Sequence, residues 1–80
     1  MRRDPTMMLV YAAREEMCSI LAPHLEQQDA LERANNIAQA LLLDDRNPRE
    51  SVRSMLGVIP TNDQGSVAHE ICSVWHRSVR

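Results

Sequence analysis

Four prolines, Pro5, Pro23, Pro48 and Pro60, set the limits of what this chain of 80 residues can build. A proline inside a helix removes a backbone bond and collides with the preceding turn, at a cost of about 3 kcal/mol. Any long element must therefore start beside one or stop before one. Asp4-Pro5 reads as an N-cap followed by proline in the first turn, where its missing donor costs nothing. Val10, Ala13, Met17, Ile20 and Leu21 then recur at helical spacing, with Arg14, Glu15, Glu16 and Ser19 falling elsewhere. The pattern predicts a helix over about residues 5–21, ended or kinked by Pro23.

A second helix is predicted over about residues 25–43. Leu31, Ala34, Ile37, Ala38, Leu41 and Leu42 form its apolar face, and Glu26, Asp29, Glu32 and Arg33 lie mostly off it. Ala30, Ala34 and Ala38 stand four apart, a line along which another helix can approach closely. Asn47-Pro48-Arg49-Glu50 is a compact start signal, with Asn47 as cap and Glu50 placed to reach back as a capping-box acid. It opens a short helix over about residues 48–56, carrying Val52, Met55 and Leu56, with Gly57 as its stop.

Val58-Ile59-Pro60 reads as extended, and Thr61-Asn62-Asp63-Gln64 as a second capping box or a turn. Because Gly65 weakens the first turn beyond it, the last helix is placed over about residues 64–79. Its stripe is Ala68, Ile71, Cys72, Trp75 and Val79, and Arg77 and Arg80 stand at the negative end of the helix dipole. No stretch alternates with period two for long enough to make a strand. The expected fold is all-α, a single small bundle of three longer helices and one short one. Its expected core is Val10, Met17, Leu21, Leu31, Ile37, Ala38, Leu41, Val52, Leu56, Ile71, Cys72 and Trp75.

Such a core is made almost wholly of aliphatic groups, since Tyr11 and Trp75 are the only aromatic rings and phenylalanine is absent. A core of this size supplies about 3–5 kcal/mol, so a partner subunit would help, and a helical homodimer is expected. The run Met7-Met8-Leu9-Val10-Tyr11-Ala12-Ala13 points the same way, because seven consecutive apolar residues are more than one intramolecular contact covers.

Charge narrows the classes of function. All nine basic residues are arginine, against eleven acids, for a net of −2. That is a poor footprint for non-specific nucleic-acid binding. The charge is uneven: residues 23–45 hold Glu26, Asp29, Glu32, Asp44 and Asp45 against Arg33, whereas residues 46–80 hold five arginines against Glu50, Asp63 and Glu70. An acidic half and a basic half suit pairing with another chain. No apolar run approaches the roughly 18 residues of a membrane span, and none has the form of a signal core followed by a cleavage site. Two cysteines, Cys18 and Cys72, are too few for a disulfide scaffold, so a reducing, cytoplasmic setting is expected.

The reactive side chains do not assemble a motif. His69, Cys72 and His76 fall at i, i+3 and i+7 and are each competent zinc ligands, with Cys18 or His24 able to complete a set. Position 73, where the second histidine of the zinc-protease pattern belongs, is Ser, and Cys72 lies on the apolar stripe. Cys72 and His76 are one turn apart, yet a nucleophile–base pair also needs an orienting group and an oxyanion hole, and the sequence shows neither. Gly57 and Gly65 are the only glycines, so no glycine-rich loop cradles a phosphate. The expectation is no metal, no cofactor, no small-molecule substrate and no enzyme activity.

A helix-turn-helix reading of the last two helices fails in register. With Gly57 at the turn, bulky Arg53 stands where the second helix should approach, and Asp63 and Ser66 stand at apolar positions. Arg46, Arg49 and Arg53 nevertheless share a face able to meet phosphates, which leaves a dimeric DNA-binding regulator as the rival reading. The segment from Ile37 to Trp75 is a helix ending in Asp-Asp-Arg-Asn, then a short helix, then an amphipathic one. In pattern and size it resembles the small two-component connector proteins of enteric biofilm and acid-resistance control, without sharing a diagnostic motif. The reading the residues support best is a small non-enzymatic regulator or adaptor that binds protein, a phage- or plasmid-borne inhibitor or a stress-response connector being examples of the kind. Met8, Leu9 and Leu42 are its expected association surface, and Arg49 and Arg53 its flanking steering charges.

Overall fold

The computed structural model describes residues 5–44 and 46–79. Four helices make up the fold: α1 (Pro5–Leu21), α2 (Gln27–Leu43), α3 (Pro48–Ser54) and α4 (Thr61–Val79). No strand occurs among the described residues. Asp4 as a cap, and the charges of Asp45 and Arg80, lie outside them.

The helices pack as a ring: α1 on α2, α2 on α3, α3 on α4, and α4 back on α1. The diagonal pairs α1/α3 and α2/α4 do not approach backbone to backbone. Apolar side chains fill the centre, chiefly Met17, Leu21, Ile37, Leu41, Val52, Leu56 and Ile71, all fully enclosed, with Trp75 beside them. Ala30, Ala34 and Ala38 are buried too, their small side chains letting α2 sit close to its neighbours. The result is a thin slab, 43 × 27 × 17 Å between Cα extremes.

Two expected core residues are placed differently. Leu31 is 46% exposed, because the inward face of α2 runs through Ala30, Ala34, Ile37, Ala38 and Leu41 and leaves Leu31 on the flank. Cys72 is only half-buried and packs against the edge of the core. In exchange Ala13, Val67, Ala68, Val74 and Ile59 are buried.

The ends of α3 and α4 also differ from the expected ones. α3 stops at Ser54, and the chain tightens afterwards: the amides of Met55 and Leu56 bond to the carbonyls of Val52 and Arg53 at 3.0 and 3.1 Å. Gly57 has no positive φ, so it is not the left-handed stop. Val58 and Ile59 lie in a turn closed over Leu56–Ile59 and not in an extended stretch, since the Ile59 amide bonds to Leu56 O at 2.9 Å, and Ile59 is buried. The expected capping box of α3 is a side-chain pair instead, with Asn47 Nδ2 donating to Glu50 Oε2 at 3.2 Å.

α4 begins at Thr61, ahead of the expected residue 64. The Pro60 carbonyl accepts from the amides of Asp63 and Gln64 at 2.9 and 3.2 Å, which closes a first turn there. Asp63 in that turn suits the positive end of the helix dipole. Burial of Val67 and Ala68 one turn later offsets the weakness of Gly65.

Candidate functional site

The α1–α2 hairpin carries the most exposed apolar surface. Its turn is closed by the amides of His24 and Leu25, which bond to Leu21 O at 2.9 and 3.1 Å, and Leu25 then packs on the core. The two helices therefore run antiparallel. Their register is marked by Arg14, whose Nη1 donates to Asn35 Oδ1 at 3.4 Å. Seven residues from that bond toward the open end of the hairpin lie Met7 on α1 and Leu42 on α2, at one level. Four residues toward the turn lie Cys18 and Leu31, at another.

Met7, Tyr11, Arg14 and Cys18 stand at i, i+4, i+7 and i+11 along one flank of α1, and Leu31, Asn35 and Leu42 at i, i+4 and i+11 along one flank of α2. Met7, Tyr11, Leu31 and Leu42 are 40–51% exposed. Arg14, between them, places its guanidinium carbon 4.9 Å from the centre of the Tyr11 ring, a cation–π geometry. The outcome is an apolar two-helix face with a single polar pair near its middle.

Of the residues singled out from sequence, Leu42 lies on this face. Met8 and Leu9 are exposed at 55% and 46%, but they occupy other sides of α1. Leu9 shares its flank with Glu16 and Ile20, both of which line the groove against α4. Met8 is displaced from Val10, Ala13 and Met17 by nearly half a turn of the helix and faces outward. The structure thus does not bring Met8, Leu9 and Leu42 onto one flank. Arg49 and Arg53 are on α3, the corner diagonal to α1.

The arginine group is partly committed within the molecule. Arg46 clamps Asp44, its Nε and Nη2 reaching Oδ1 and Oδ2 at 3.1 Å each and its own amide donating to Oδ1 at 3.1 Å. These bonds from the Arg46 side chain, and then from its backbone N–H, hold the Asp44 carboxyl down at about 2. Arg49 Nη2 lies 3.0 Å from His69 Nδ1 on α4. Arg53 lines a shallow depression with Asn47, Arg49 and Glu50.

On α4, Arg77 Nη2 reaches back to Glu16 Oε2 at 3.0 Å, tying α4 to α1 across an exposed pair. Burial pushes the Cys72 thiol above its ordinary range, against the pull of the Arg49 charge, so the nucleophilic thiolate is disfavoured. Among the described residues no hydrogen bond joins Cys72 to His76, and no three His, Cys, Asp or Glu side chains gather as a metal-holding group. His69, Cys72 and His76 instead line an open groove of about 470 Å³ with Pro48, Arg49, Ser73 and Arg77.

At the open end of the bundle, Leu41, Leu42, Leu43, Asp44 and Arg46 form a second groove with Trp75 and Val79, of about 440 Å³. The Nε1 of Trp75 is buried without a protein partner, as is the Nε of Arg33. None of the described helices is long and apolar enough to cross a membrane.

Sequence reasoning missed the partnership of Arg49 with His69 and the exposure of Leu31. The pairing joins residues twenty apart on different helices, and no local spacing announces it. Leu31 was within reach, since its spacing from Asn35 and Leu42 departs from that of Ala30, Ala34 and Ile37. The chain matches no family model, and no characterised protein or solved structure is significantly similar to it.

Proposed function

We propose that this chain is a small non-catalytic regulator or adaptor that acts by protein–protein binding and self-associates through the α1/α2 face, in a cytoplasmic setting. The observation that carries the reading is the flank-to-flank array of Met7, Tyr11, Leu31 and Leu42, each about half out of contact. Exposed apolar side chains gathered on one side of a helix pair often mark an association surface.

The face is also suited to a second copy of itself. Its two ends, Met7 with Leu42 and Cys18 with Leu31, are both apolar, so a two-fold axis near its middle lays each end on the other copy's opposite end. Sedimentation velocity over a concentration series tests this. The expected result is a reversible dimer that Leu31→Asp with Leu42→Asp converts to a folded monomer. A parent chain that stays monomeric at high micromolar concentration overturns self-association. If pull-downs then also recover no protein at constant stoichiometry, the adaptor reading falls with it.

The rival reading, a DNA-binding dimer using Arg46, Arg49 and Arg53, draws less support. Arg46 is already paired with the Asp44 carboxylate, and Glu50 stands in the same depression as Arg49 and Arg53. Retention on duplex DNA that falls steeply with salt would favour it over the adaptor.

A further inference from the structure

His69, Ser73, His76 and Arg77 recur at i, i+4, i+7 and i+8 of α4, and so share the side of that helix turned away from the core. Arg49 reaches the same place from the first turn of α3 and stops 3.0 Å from His69 Nδ1. A guanidinium has donors only. Where this contact is a hydrogen bond, Nδ1 accepts it and the ring's N–H is that of Nε2, the opposite edge of His69. Arg77 stands at the far end of the groove, held from behind by Glu16 at 3.0 Å.

The groove these residues line, about 470 Å³, has no carboxylate among its own lining, and it shares His69, Ser73 and Arg77 with a neighbouring groove in which Glu16 and Glu70 stand. Two guanidinium groups line it, that of Arg49 beside His69 and that of Arg77 paired on its other side with Glu16, together with two imidazoles and a hydroxyl. The Arg49 charge disfavours a metal cation there. A planar carboxylate is satisfied by one guanidinium fork, whereas a tetrahedral oxyanion presents acceptors in several directions and suits donors converging from two helices. Pro48 and the half-buried Cys72 supply less polar contacts for an organic remainder.

We propose that this α3/α4 groove binds the phosphate group of a small phosphomonoester, at a site separate from the α1/α2 association face. The proposal does not depend on self-association.

The test is a titration of the full ¹⁵N-labelled chain, followed by amide and imidazole shifts, with inorganic phosphate and separately with glycerol phosphate. Ionic strength is held constant with chloride. Saturable shifts are expected at Arg49, His69, Ser73 and His76, with glycerol phosphate binding more tightly than phosphate. Arg49→Gln weakens binding by about tenfold, as expected for loss of a charged hydrogen bond, while Arg53→Gln leaves it unchanged. Glu16→Gln, which releases Arg77, tightens it, and the same change at the distant Glu32 does not. The spectra themselves report whether each variant is folded.

Shifts reproduced by chloride, or a loss on Arg53→Gln equal to that on Arg49→Gln, would show diffuse charge attraction and overturn the site. Glycerol phosphate binding no better than phosphate overturns the organic remainder. Duplex DNA bound more tightly than either, and weakened alike by Arg46→Gln, Arg49→Gln and Arg53→Gln, would assign the groove to a nucleic-acid backbone and also overturn the proposal.

Discussion

Arg14 on α1 and Asn35 on α2 are joined by a single hydrogen bond of 3.4 Å, and this bond marks the level at which the two helices of the hairpin meet. Because Arg14 also lies over Tyr11, one side chain organises the middle of the exposed apolar face. Arg14→Ala removes both contacts. Partly buried hydrogen bonds of this kind contribute about 1 kcal/mol, so thermal denaturation at low protein concentration should show a fall in Tm of about 4–8 °C. An unchanged Tm would mean that apolar packing alone holds the register.

Leu31 distinguishes a surface role from a core role. It is half-exposed, so Leu31→Asp should keep the helical circular dichroism of the parent while abolishing dimerisation, since the charge is buried only in the complex. Leu9→Asp, on the α4-facing flank of α1, should weaken association less. If Leu9→Asp is the more damaging of the two in sedimentation, the interface lies on the other side of α1.

Gly65 sits within the second turn of α4 and a methyl group placed on it meets nothing within 4 Å. Gly65→Ala should therefore stabilise the fold by about 0.5–1 kcal/mol, the usual difference between the two residues in a helix. Urea denaturation would show it as a higher midpoint with the same slope.

Ile71 and Leu56 are fully enclosed where α4 packs against α3. Truncating either to Ala costs about 2–5 kcal/mol, against a total of about 3–5 kcal/mol for a core of this size. Ile71→Ala should thus lose cooperative thermal unfolding near room temperature. Retention of a sharp transition would show that stability comes largely from outside this core, from the dimer for instance.

The Asp44–Arg46 clamp has a pH signature of defined sign. The folded carboxyl is held at about 2, below the ordinary carboxylate value of 3.8. Its contribution is complete above the unfolded value and is lost as the pH falls toward and through the folded one. A carboxyl titration of Asp44 by NMR should show this low midpoint, and Arg46→Gln should return it toward the ordinary range. Because both side chains are solvent-exposed, stability at neutral pH should change little on that substitution.

Much of the architecture was legible in the chain because helix-forming signals are local. Proline cannot continue a helix, and a repeat of apolar residues every three to four positions identifies the side that must be covered. The residues from Pro5 to Leu21 and those of α2 carry both signals. What local signals did not reach was the outcome of competition between neighbours. Pro60 O captured the Asp63 and Gln64 amides and began α4 early, Ile59 turned inward although it sits between helices, and Leu31 yielded the inward side of α2 to Ala30, Ala34 and Ile37.

The pairings of Arg14 with Asn35, Arg49 with His69 and Arg77 with Glu16 belong wholly to tertiary structure. Each joins residues on different helices, and long side chains of this kind can meet many partners until the backbone is placed. Sequence determined that the chain would form helices and roughly which sides of them are apolar, since those properties depend on residues within a few turns of one another. Which apolar residues remain uncovered, and which charges gather around one groove, was decided only when the ring of four helices closed. At that step the interior accepts as many side chains as close packing allows and leaves the others, Met7, Tyr11, Leu31 and Leu42 among them, at the surface.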